Sequence, residues 1–317
     1  MSNSEARQRA LEVLTAFEFE PTSLVTYHST GKIIALGDDG LLDKCGDLPA
    51  ALDITRVSSD SGEIQVDGYL GAYTVSVTDP QGNVAVNRAD ALLDLNQTPV
   101  MVREMLPPGY FHAPPSEWER LALADELEGL AGEFQKPKYF DYDPSICAHG
   151  VNGKTVCTRC IDACPAEAIA SLGERIEVNP NLCQGGGTCT TVCPSGAIRY
   201  LYPTLRDSGK RMRDALDAYR EQGGSRPIVV FHGENASPDH YLQAYDNVLP
   251  IQVEELGSVG MDLCLSALAY GAMQVVLLAD PEVPRSSLLN LRQQLDWLHA
   301  IISELGLGSA YVTICES

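Results

Sequence analysis

The stretch "CQGGGTCTTVCPSGAI" covers residues 183–198, and its last part repeats an earlier stretch of the chain. The hexapeptide "CPSGAI" at 193–198 matches "CPAEAI" at 164–169, with an offset of 29 residues. The same offset relates three further pairs of positions, which are Cys160 and Cys189, Cys157 and Gly186, and Lys154 and Cys183. The chain therefore contains a cysteine repeat in which each half has one cysteine fewer than a complete copy would have.

The spacing of this repeat is typical of iron–sulfur ligands, which in bacterial proteins follow the pattern C-x2-C-x2-C-x3-C-P. The first half has C-x2-C-x3-C-P at 157–165 and lacks its leading cysteine, but Cys147 lies upstream behind a glycine-containing insertion that can loop back. The second half has C-x5-C-x3-C-P at 183–194 and carries Gly186 at the second position. Seven of the ten cysteines lie between 147 and 193, which in a cytosolic protein indicates metal binding and not disulfides.

Residues 139–203, with these two Cys-Pro motifs in tandem, resemble the dicluster bacterial-type ferredoxins. In that fold the fourth cysteine of each run ligates the other cluster. The resemblance implies that cluster one is held by Cys147, Cys157, Cys160 and Cys193. It implies that cluster two is held by Cys164, Cys183 and Cys189. Family members without the second cysteine usually hold a [3Fe–4S] cluster, so the expected pair is one [4Fe–4S] and one [3Fe–4S] cluster.

Several alternatives stay open for these ligands. Water or a small molecule could hold a labile fourth iron and make the second cluster a [4Fe–4S] cluster. One of the isolated cysteines (Cys45, Cys264 or Cys315) could fold over and donate instead, although each is expected to be a small buried side chain. His149 could replace Cys147 if Cys147 does not reach the site. Zinc also binds C-x2-C pairs, but zinc modules seldom repeat C-x3-C-P in this way.

The predicted fold class is α+β, with a β-rich N-terminal domain, a ferredoxin-like ββ/α pseudo-repeat and a C-terminal parallel doubly wound α/β sheet. The predicted domains are 1–106 (β-rich), 107–138 (linker and a helix from Ser116), 139–203 (dicluster module), 204–225 (basic linker helix) and 226–317 (α/β). Residues 23–37 are expected to form a hairpin with its turn near Thr30-Gly31, because a strand-like run lies on each side of that turn. The C-terminal part alternates strand and helix patterns, which predicts a parallel sheet.

The C-terminal domain, through "VEELGSVGMDLCLSALAYGAMQVVLLAD" (253–280), resembles the iron–sulfur delta subunit of methyl-viologen-reducing hydrogenases. That family carries a cysteine-ligated [2Fe–2S] cluster on the loops after its strands. Here the loops "FHGENAS", "ELGSVG" and "ADPEVP" contain no cysteine, so the domain is expected to be a degenerate docking platform. The stretch "PKYFDYDPSICAHG" leading into "CTRCIDACP" resembles cytoplasmic 4Fe–4S ferredoxin proteins associated with bacterial formate dehydrogenases.

Charge and composition restrict the partners. The net charge of -21 argues against binding to nucleic acid, whose phosphates attract the opposite sign. Residues 1–140 carry 22 acidic against 10 basic side chains, which could steer a basic redox partner. We expect no membrane span, since no apolar run approaches the length of roughly 18 to 20 residues that a span needs. The N-terminus lacks the apolar core of a signal peptide, and we expect a cytoplasmic protein.

These features favour an electron carrier, or an electron-transfer subunit of an oxidoreductase complex such as formate dehydrogenase, over a catalyst. No catalytic constellation emerges from the sequence, since His232, His240 and His299 are isolated. Two alternatives remain. One is an oxidoreductase that binds a flavin or nucleotide in its C-terminal domain and uses the ferredoxin module as its relay. The other is a scaffold whose clusters are structural. The basic helix (Arg206, Lys210, Arg211, Arg213 and Arg220) could dock an acidic partner or be a solvated linker.

Overall fold

The computed structural model describes residues 2–117, 123–151, 153–306 and 311–316. The chain divides into two compact units. The smaller unit consists of Leu24–Pro137 and Asn179–Gln184. The larger unit consists of Met1–Ser23, Lys138–Val178 and Gly185–Ser317. These units differ from the predicted division, because residues 1–23 group with the cysteine-rich and C-terminal parts and not with the β-rich segment.

Helix α1 (Asn3–Ala16) shows why residues 1–23 join the larger unit. Its N-terminus has a capping box, in which the Ser2 hydroxyl accepts from the Glu5 N–H (3.4 Å) and the Glu5 carboxylate accepts from the Ser2 N–H (2.9 Å). Its apolar face is buried in the core of the larger unit, through Ala6, Ala10 and Leu14. Burial of apolar surface therefore decides where this helix belongs, and the local pattern does not reveal its partner.

The smaller unit consists of short strands, helices and turns. Its strands are β1 (Leu24–Ser29), β2 (Lys32–Gly37), β3 (Asp53–Ser58), β4 (Glu63–Asp67), β5 (Tyr73–Thr78), β6 (Val84–Ala89), β7 (Ala91–Asp94), β8 (Tyr110–His112) and β9 (Gly132–Pro137). Its helices are α2 (Asp39–Asp43) and α3 (Leu123–Glu128), with 3₁₀ turns at Lys44–Asp47, Ser59–Ser61 and Pro115–Glu117.

Two sheets pack face to face in this unit. Strands β3, β2, β7 and β8 run parallel in that order, and β4, β5 and β6 form an antiparallel sheet. Successive side chains of β2 point to opposite faces. Ile33 therefore shares a core with Leu127 of α3, whereas Ile34 shares a core with Val75 of β5.

The predicted hairpin over residues 23–37 is wrong. Strand β1 pairs antiparallel with β9, and β2 pairs in parallel with β3 and β7. The Asp90 carboxylate accepts hydrogen bonds from the backbone N–H groups of Thr30 (2.7 Å) and Lys32 (3.2 Å), which holds the connection away from a hairpin turn. Residues Ile33–Gly37 of β2 are buried in succession, which is typical of a central strand covered on both faces.

The helix predicted from Ser116 is shorter than expected. Part of it falls on residues 118–122, which lie outside the described residues. Helix α3 ends at Glu128, and Gly132–Pro137 forms strand β9 instead of continuing the helix. The Gly129 and Gly132 positions flank this change from helix to strand, as glycines commonly do.

The larger unit continues the chain order. Its strands are β10 (Phe140–Tyr142), β11 (Gly150–Val151), β12 (Lys154–Thr155), β13 (Ile169–Leu172), β14 (Arg175–Val178), β15 (Ile198–Tyr200), β16 (Ile228–His232), β17 (Val248–Gln252), β18 (Gln274–Ala279) and β19 (Val312–Glu316). Its further helices are α4 (Arg159–Asp162), α5 (Thr188–Thr191), α6 (Leu205–Glu221), α7 (Asp239–Ala244), α8 (Met261–Ala269) and α9 (Arg285–Glu304), with 3₁₀ turns at Pro144–Ile146 and Leu256–Ser258.

The cysteine repeat is also a repeat of structure. Helices α4 and α5 begin at Arg159 and Thr188, which the 29-residue offset relates to each other. Strands β13 and β14 form a hairpin whose turn contains Gly173 in a left-handed conformation (φ +70°). Strand β10 pairs antiparallel with β15, which ties the start of the module to its end.

The C-terminal part contains a parallel sheet in the strand order β17, β16, β18, β19. Helices α8 and α9 cover the face that carries Val229 and Phe231. Helix α7 covers the opposite face, which carries Val230. Helices thus lie on both faces, as the alternating pattern of strands and helices predicts.

Helix α6 is predicted from the sequence as a basic linker helix, but it is part of the core. It buries Met212, Ala215, Leu216 and Tyr219 against α1 and the parallel sheet. The Arg211 guanidinium donates to the carbonyl oxygens of Leu14 (3.2 Å) and Gln252 (3.1 Å), and burial lowers the pKa of Arg211. Arg211 is therefore engaged within the unit.

Helix α9 is amphipathic and lies on the sheet. It buries Leu291, Leu295, Leu298 and Ile302 at spacings of three and four residues, which is the pattern of one helical face. Trp297 and Ile301 are exposed on the other side. None of the helices in the described ranges combines the length and the apolarity that crossing a membrane requires.

Candidate metal centre

Four cysteines line one pocket of the larger unit. They are Cys147, Cys157, Cys160 and Cys193. The remaining wall includes the aromatic and apolar side chains of Tyr142, Ile176 and Ile198. A [4Fe–4S] cluster takes one thiolate for each of its four irons, and thiolates are its ordinary protein ligands. The donor set of this pocket therefore fits that group.

Local turns bring Cys147 to the pocket. The 3₁₀ turn Pro144–Ile146 precedes it, and the Asp143 carboxylate caps this turn by accepting from the Ser145 N–H at 2.9 Å. Strands β11 and β12 then form a short antiparallel hairpin that returns the chain to Cys157. The insertion between the two cysteines thus loops back, as its glycines predict.

His149 fastens this hairpin to the pocket wall. Its side chain is 1% exposed, with Nδ1 lying 2.7 Å from the Cys157 carbonyl oxygen and Nε2 lying 2.7 Å from the Ser171 hydroxyl. Because a carbonyl oxygen can only accept, Nδ1 carries a proton, and in the neutral ring Nε2 accepts from Ser171. Both ring nitrogens are engaged, so the geometry gives no support to His149 as a substitute ligand.

The pocket is electrostatically unfavourable for free thiolates. The pKa of Cys160 is raised to about 11, first by burial and then by the neighbouring thiolates of Cys193, Cys157 and Cys147. Cationic metal centres favour deprotonated cysteine and offset such repulsion. The pocket therefore brings four thiols together at an electrostatic cost to their thiolate forms that a bound cation would relieve.

The two Cys-Pro turns direct backbone N–H groups at their sulfurs. Burial raises the pKa of Cys164 and is partly opposed by N–H groups from residues 166–168, of which the Ala168 N–H lies 3.3 Å from Cys164 Sγ. For Cys193, burial again raises the pKa, but hydrogen bonds outweigh it and the pKa is lowered overall. These bonds come from the N–H groups of Ile198, Ser195 and Ala197 and from the Ser195 hydroxyl. Such bonds stabilise a thiolate and tune a cluster bound to it.

The same two turns share an unusual backbone conformation. Glu167 has φ +50° and Gly196 has φ +65°, and the 29-residue offset makes these positions equivalent. Positive φ is uncommon for a residue with a side chain, and Glu167 adopts it here. The repeat therefore preserves the turn geometry that wraps N–H groups around sulfur, even where the residue type differs.

The three cysteines expected at the second cluster do not all belong to the same unit. Cys164 and Cys189 belong to the larger unit, and Cys183 lies in the segment Asn179–Gln184 of the smaller unit. All three are partly buried. Gly186 is buried, and its carbonyl oxygen accepts the Thr188 N–H at 2.9 Å.

Residues 185–188, which we call the glycine loop, pack against the C-terminal part of the larger unit. No pattern in the amino-acid sequence predicts this contact. Thr188 is fully buried, and its hydroxyl lies 2.6 Å from that of Ser287 at the start of α9. A Cβ atom on Gly257 would lie 2.3 Å from the Gly186 carbonyl oxygen, and one on Gly187 would lie 2.6 Å from Ser258 Cβ. Only glycine permits this approach. The loop "ELGSVG", which lacks the cysteines of its resemblance, is instead the surface on which the glycine loop rests.

The isolated cysteines lie elsewhere. Cys45 is buried in the core of the smaller unit, and Cys264 is buried in the core of the larger unit. Cys315 is partly buried, and its hydrogen bond with Tyr241 is the largest cause that raises the pKa of Tyr241 to about 12. Within the described residues, no three histidine, cysteine or carboxylate side chains are arranged to hold a single metal ion.

The loops that follow β16, β17 and β18 carry acidic side chains and no cysteine. Glu255 follows β17, and its pKa is raised to about 7 by burial, with smaller effects from the charges of Glu254 and Asp280.

His232 Nδ1 lies 2.8 Å from the Gly233 carbonyl oxygen. His299 Nε2 lies 2.8 Å from the Val312 carbonyl oxygen, so both rings take part in backbone contacts.

Comparison with known families agrees with the cysteine pattern. Residues 176–199 match the Fer4 family model, which describes a 4Fe-4S binding domain. The matched stretch contains Cys183, Cys189 and Cys193 together with Gly186, and so it is the half of the repeat that lacks its second cysteine. No curated protein matches the chain. The match supports a ferredoxin-like iron–sulfur module with a role in electron transfer.

Proposed function

We propose that this protein is an electron carrier, or the electron-transfer subunit of an oxidoreductase, that passes single electrons between protein partners through two iron–sulfur clusters. The observation that carries the proposal is the single pocket lined by Cys147, Cys157, Cys160 and Cys193. Bound iron–sulfur clusters supply the one-electron chemistry. The chain supplies ligation, spacing and an environment that sets the potential.

The first site is proposed to hold a [4Fe–4S] cluster on these four cysteines. The hairpin fixed by His149 holds Cys147 and Cys157 near each other, and the turn after Cys193 offers backbone N–H groups to its sulfur. Apolar and aromatic neighbours such as Ile176 and Tyr142 would limit the access of water. Reduced access of water protects a cluster and contributes to its potential.

The second site is proposed to hold a [3Fe–4S] cluster on Cys164, Cys183 and Cys189. Gly186 stands where a fourth thiolate would be expected, and glycine has no side chain to ligate with. A [4Fe–4S] cluster with one labile iron is the alternative. A three-iron cluster in the dicluster ferredoxins usually has a higher potential than its four-iron neighbour, which would set a downhill order for the electron.

The partner is proposed to be a cytoplasmic oxidoreductase such as a formate dehydrogenase. This proposal rests on the resemblance of residues 137–165 and on that of the C-terminal domain to a hydrogenase delta subunit. Because its strand-following loops contain no cysteine, the C-terminal domain would act as a docking platform. The excess of acidic side chains in residues 1–140 would attract a basic surface on that partner.

Iron and sulfide analysis with EPR spectroscopy on anaerobically purified protein tests the function. We expect about seven irons per chain. We also expect a nearly isotropic signal of the oxidised three-iron cluster and a separate signal of the reduced four-iron cluster. About eight irons without the isotropic signal would replace the three-iron assignment by a four-iron one. Zinc without iron would contradict the electron-transfer function.

A further inference from the structure

The smaller unit holds the backbone around Cys183 with two side chains from its β1–β9 pair. The Lys136 ammonium donates to the carbonyl oxygens of Cys183 (2.5 Å) and Asn181 (3.0 Å). The Tyr27 hydroxyl donates to the same Asn181 oxygen at 2.6 Å. Lys136 pairs with Val25 across the strands, so Lys136 and Tyr27 lie on one face of the ribbon.

The segment itself is a compact turn. Asn179 Oδ1 accepts the N–H groups of Asn181 (2.9 Å) and Leu182 (3.3 Å), and the Asn179 carbonyl oxygen accepts the Cys183 N–H at 3.0 Å. The Gln184 amide donates to the Leu182 carbonyl oxygen at 3.1 Å. The carbonyl oxygens of three successive residues are thus all bonded to side-chain donors, which fixes the orientation of Cys183.

The charge of Lys136 is held where it can act on Cys183. Its ammonium lies 5.0 Å from the centre of the Tyr27 ring. The Lys136 side chain is partly buried, and its ammonium is held by the carbonyl oxygens of Cys183 and Asn181. A cation that is partly removed from water interacts more strongly with nearby charge than an exposed one does.

We infer that Lys136 is a positioning residue of the second cluster, which orients Cys183 and raises the reduction potential of that cluster through its positive charge. The inference rests on the proposed function and adds a role for the β-rich unit, for which the sequence offers no chemical motif. One-electron reduction breaks no bond and adds one negative charge, and an external one-electron donor such as dithionite supplies the electron. An adjacent cation therefore favours the reduced state.

Three variants separate the charge from the hydrogen bonds. Lys136→Gln removes the charge and keeps a donor, Lys136→Arg keeps the charge, and Tyr27→Phe removes one neutral hydrogen bond to Asn181. Lys138→Gln is the matched control, because it removes one positive charge two residues away, where the ammonium lies over the Phe140 ring (5.4 Å). Each full-length variant is titrated electrochemically while both EPR signals are recorded, so that the first cluster serves as an internal reference.

We expect Lys136→Gln to lower the potential of the second cluster. The ratio of oxidised to reduced cluster at the wild-type midpoint should rise about tenfold, which corresponds to 59 mV for one electron. Lys136→Arg, Tyr27→Phe and Lys138→Gln should change this ratio by less than about threefold, since each leaves a positive charge at position 136. An unchanged potential in a fully loaded Lys136→Gln protein, or an equal change in Lys138→Gln, would overturn the role of the charge.

Hydrogen–deuterium exchange of residues 179–184 provides a second measurement that does not depend on cluster content. Lys136→Gln and Tyr27→Phe should each speed exchange in this segment several-fold relative to Lys138→Gln. Loss of iron from the second site alone in these two variants would also support the positioning role. Unchanged exchange would overturn the positioning role. Wild-type protein without a second cluster would contradict the proposed function, whereas the exchange result would still decide whether Lys136 holds Cys183.

Discussion

The pocket of the first site gathers Cys147, Cys157 and Cys160 with Cys193 from the second half of the repeat, whereas the second half has Gly186 at the position that corresponds to Cys157. The two halves share their short helices, their Cys-Pro turns and the positive φ at Glu167 and Gly196. They differ in what surrounds them. The first half has contacts from a local hairpin and His149, and the glycine loop of the second half packs against Gly257 and Ser258.

The comparison shows that the backbone conformation of the repeat is retained where one cysteine position is occupied by glycine. The turns that wrap N–H groups around sulfur depend on local conformation, which a repeat preserves. Cys147 lines the pocket although it lies upstream of the repeat, because the insertion that follows it loops back. In the second half the glycines allow close packing with Gly257 and Ser258. Four variants test this contrast.

The largest effect is expected from Cys160→Ser. Cys160 is buried in the pocket, and serine is a poor ligand for iron. We expect the iron content to fall by about four atoms per chain, with loss of the four-iron EPR signal. Cys315→Ser, outside the pocket, should retain full iron content. Retention of all iron in Cys160→Ser would show that the first half does not hold a cluster through this residue.

Gly186→Cys should make the second half resemble the complete motif. A thiolate at this position completes the pattern C-x2-C-x2-C-x3-C, so we expect a gain of about one iron per chain and loss of the isotropic EPR signal. The measurement is iron analysis with EPR on the oxidised protein. If the three-iron signal persists at full intensity, the vacancy at 186 is not what determines the cluster type.

His149→Ala should weaken the first half without affecting the second. It removes both hydrogen bonds of a fully buried ring and leaves a cavity, so we expect a loss of about 3 kcal/mol in the free energy of unfolding. Iron should leave the first cluster faster in the presence of a chelator, as followed by absorbance and EPR. His240→Ala is the control, since His240 is exposed. Equal rates in the two variants would contradict the fastening role of His149.

Gly257→Ala should produce a smaller effect, located at the second half. The added Cβ would lie 2.3 Å from the Gly186 carbonyl oxygen and 2.5 Å from Thr188 Oγ1, so the loop must shift. We expect a loss of about 1–2 kcal/mol in the free energy of unfolding and a broadened three-iron signal. Gly209→Ala is the matched control, because no atom lies within 4 Å of its added Cβ and it sits inside helix α6. Stabilisation by Gly209→Ala with no effect of Gly257→Ala would show that the packing is looser than described.

Much of the candidate site follows from residues close in sequence. The spacing of Cys157, Cys160 and Cys164 and the repeat offset predict the helices and turns, because each depends on a few neighbouring residues. The alternating C-terminal pattern likewise predicts the parallel sheet, since buried strands and amphipathic helices have distinct periods. The hairpin at 23–37 failed because pairing with Gly132–Pro137 depends on burial and on Asp90, which no local pattern reveals.

The number and spacing of the thiols, the glycine at position 186 and the acidic charge can be read directly from the amino-acid sequence. The folded chain adds that α1 is buried in the larger unit through Ala6, Ala10 and Leu14 and that Lys136 donates to the Cys183 carbonyl oxygen. It also adds the close approach of Gly257 to the glycine loop. Ligand spacing and turn conformation depend on adjacent residues, whereas burial and hydrogen bonding join segments that are distant in the sequence and form only when the whole chain folds.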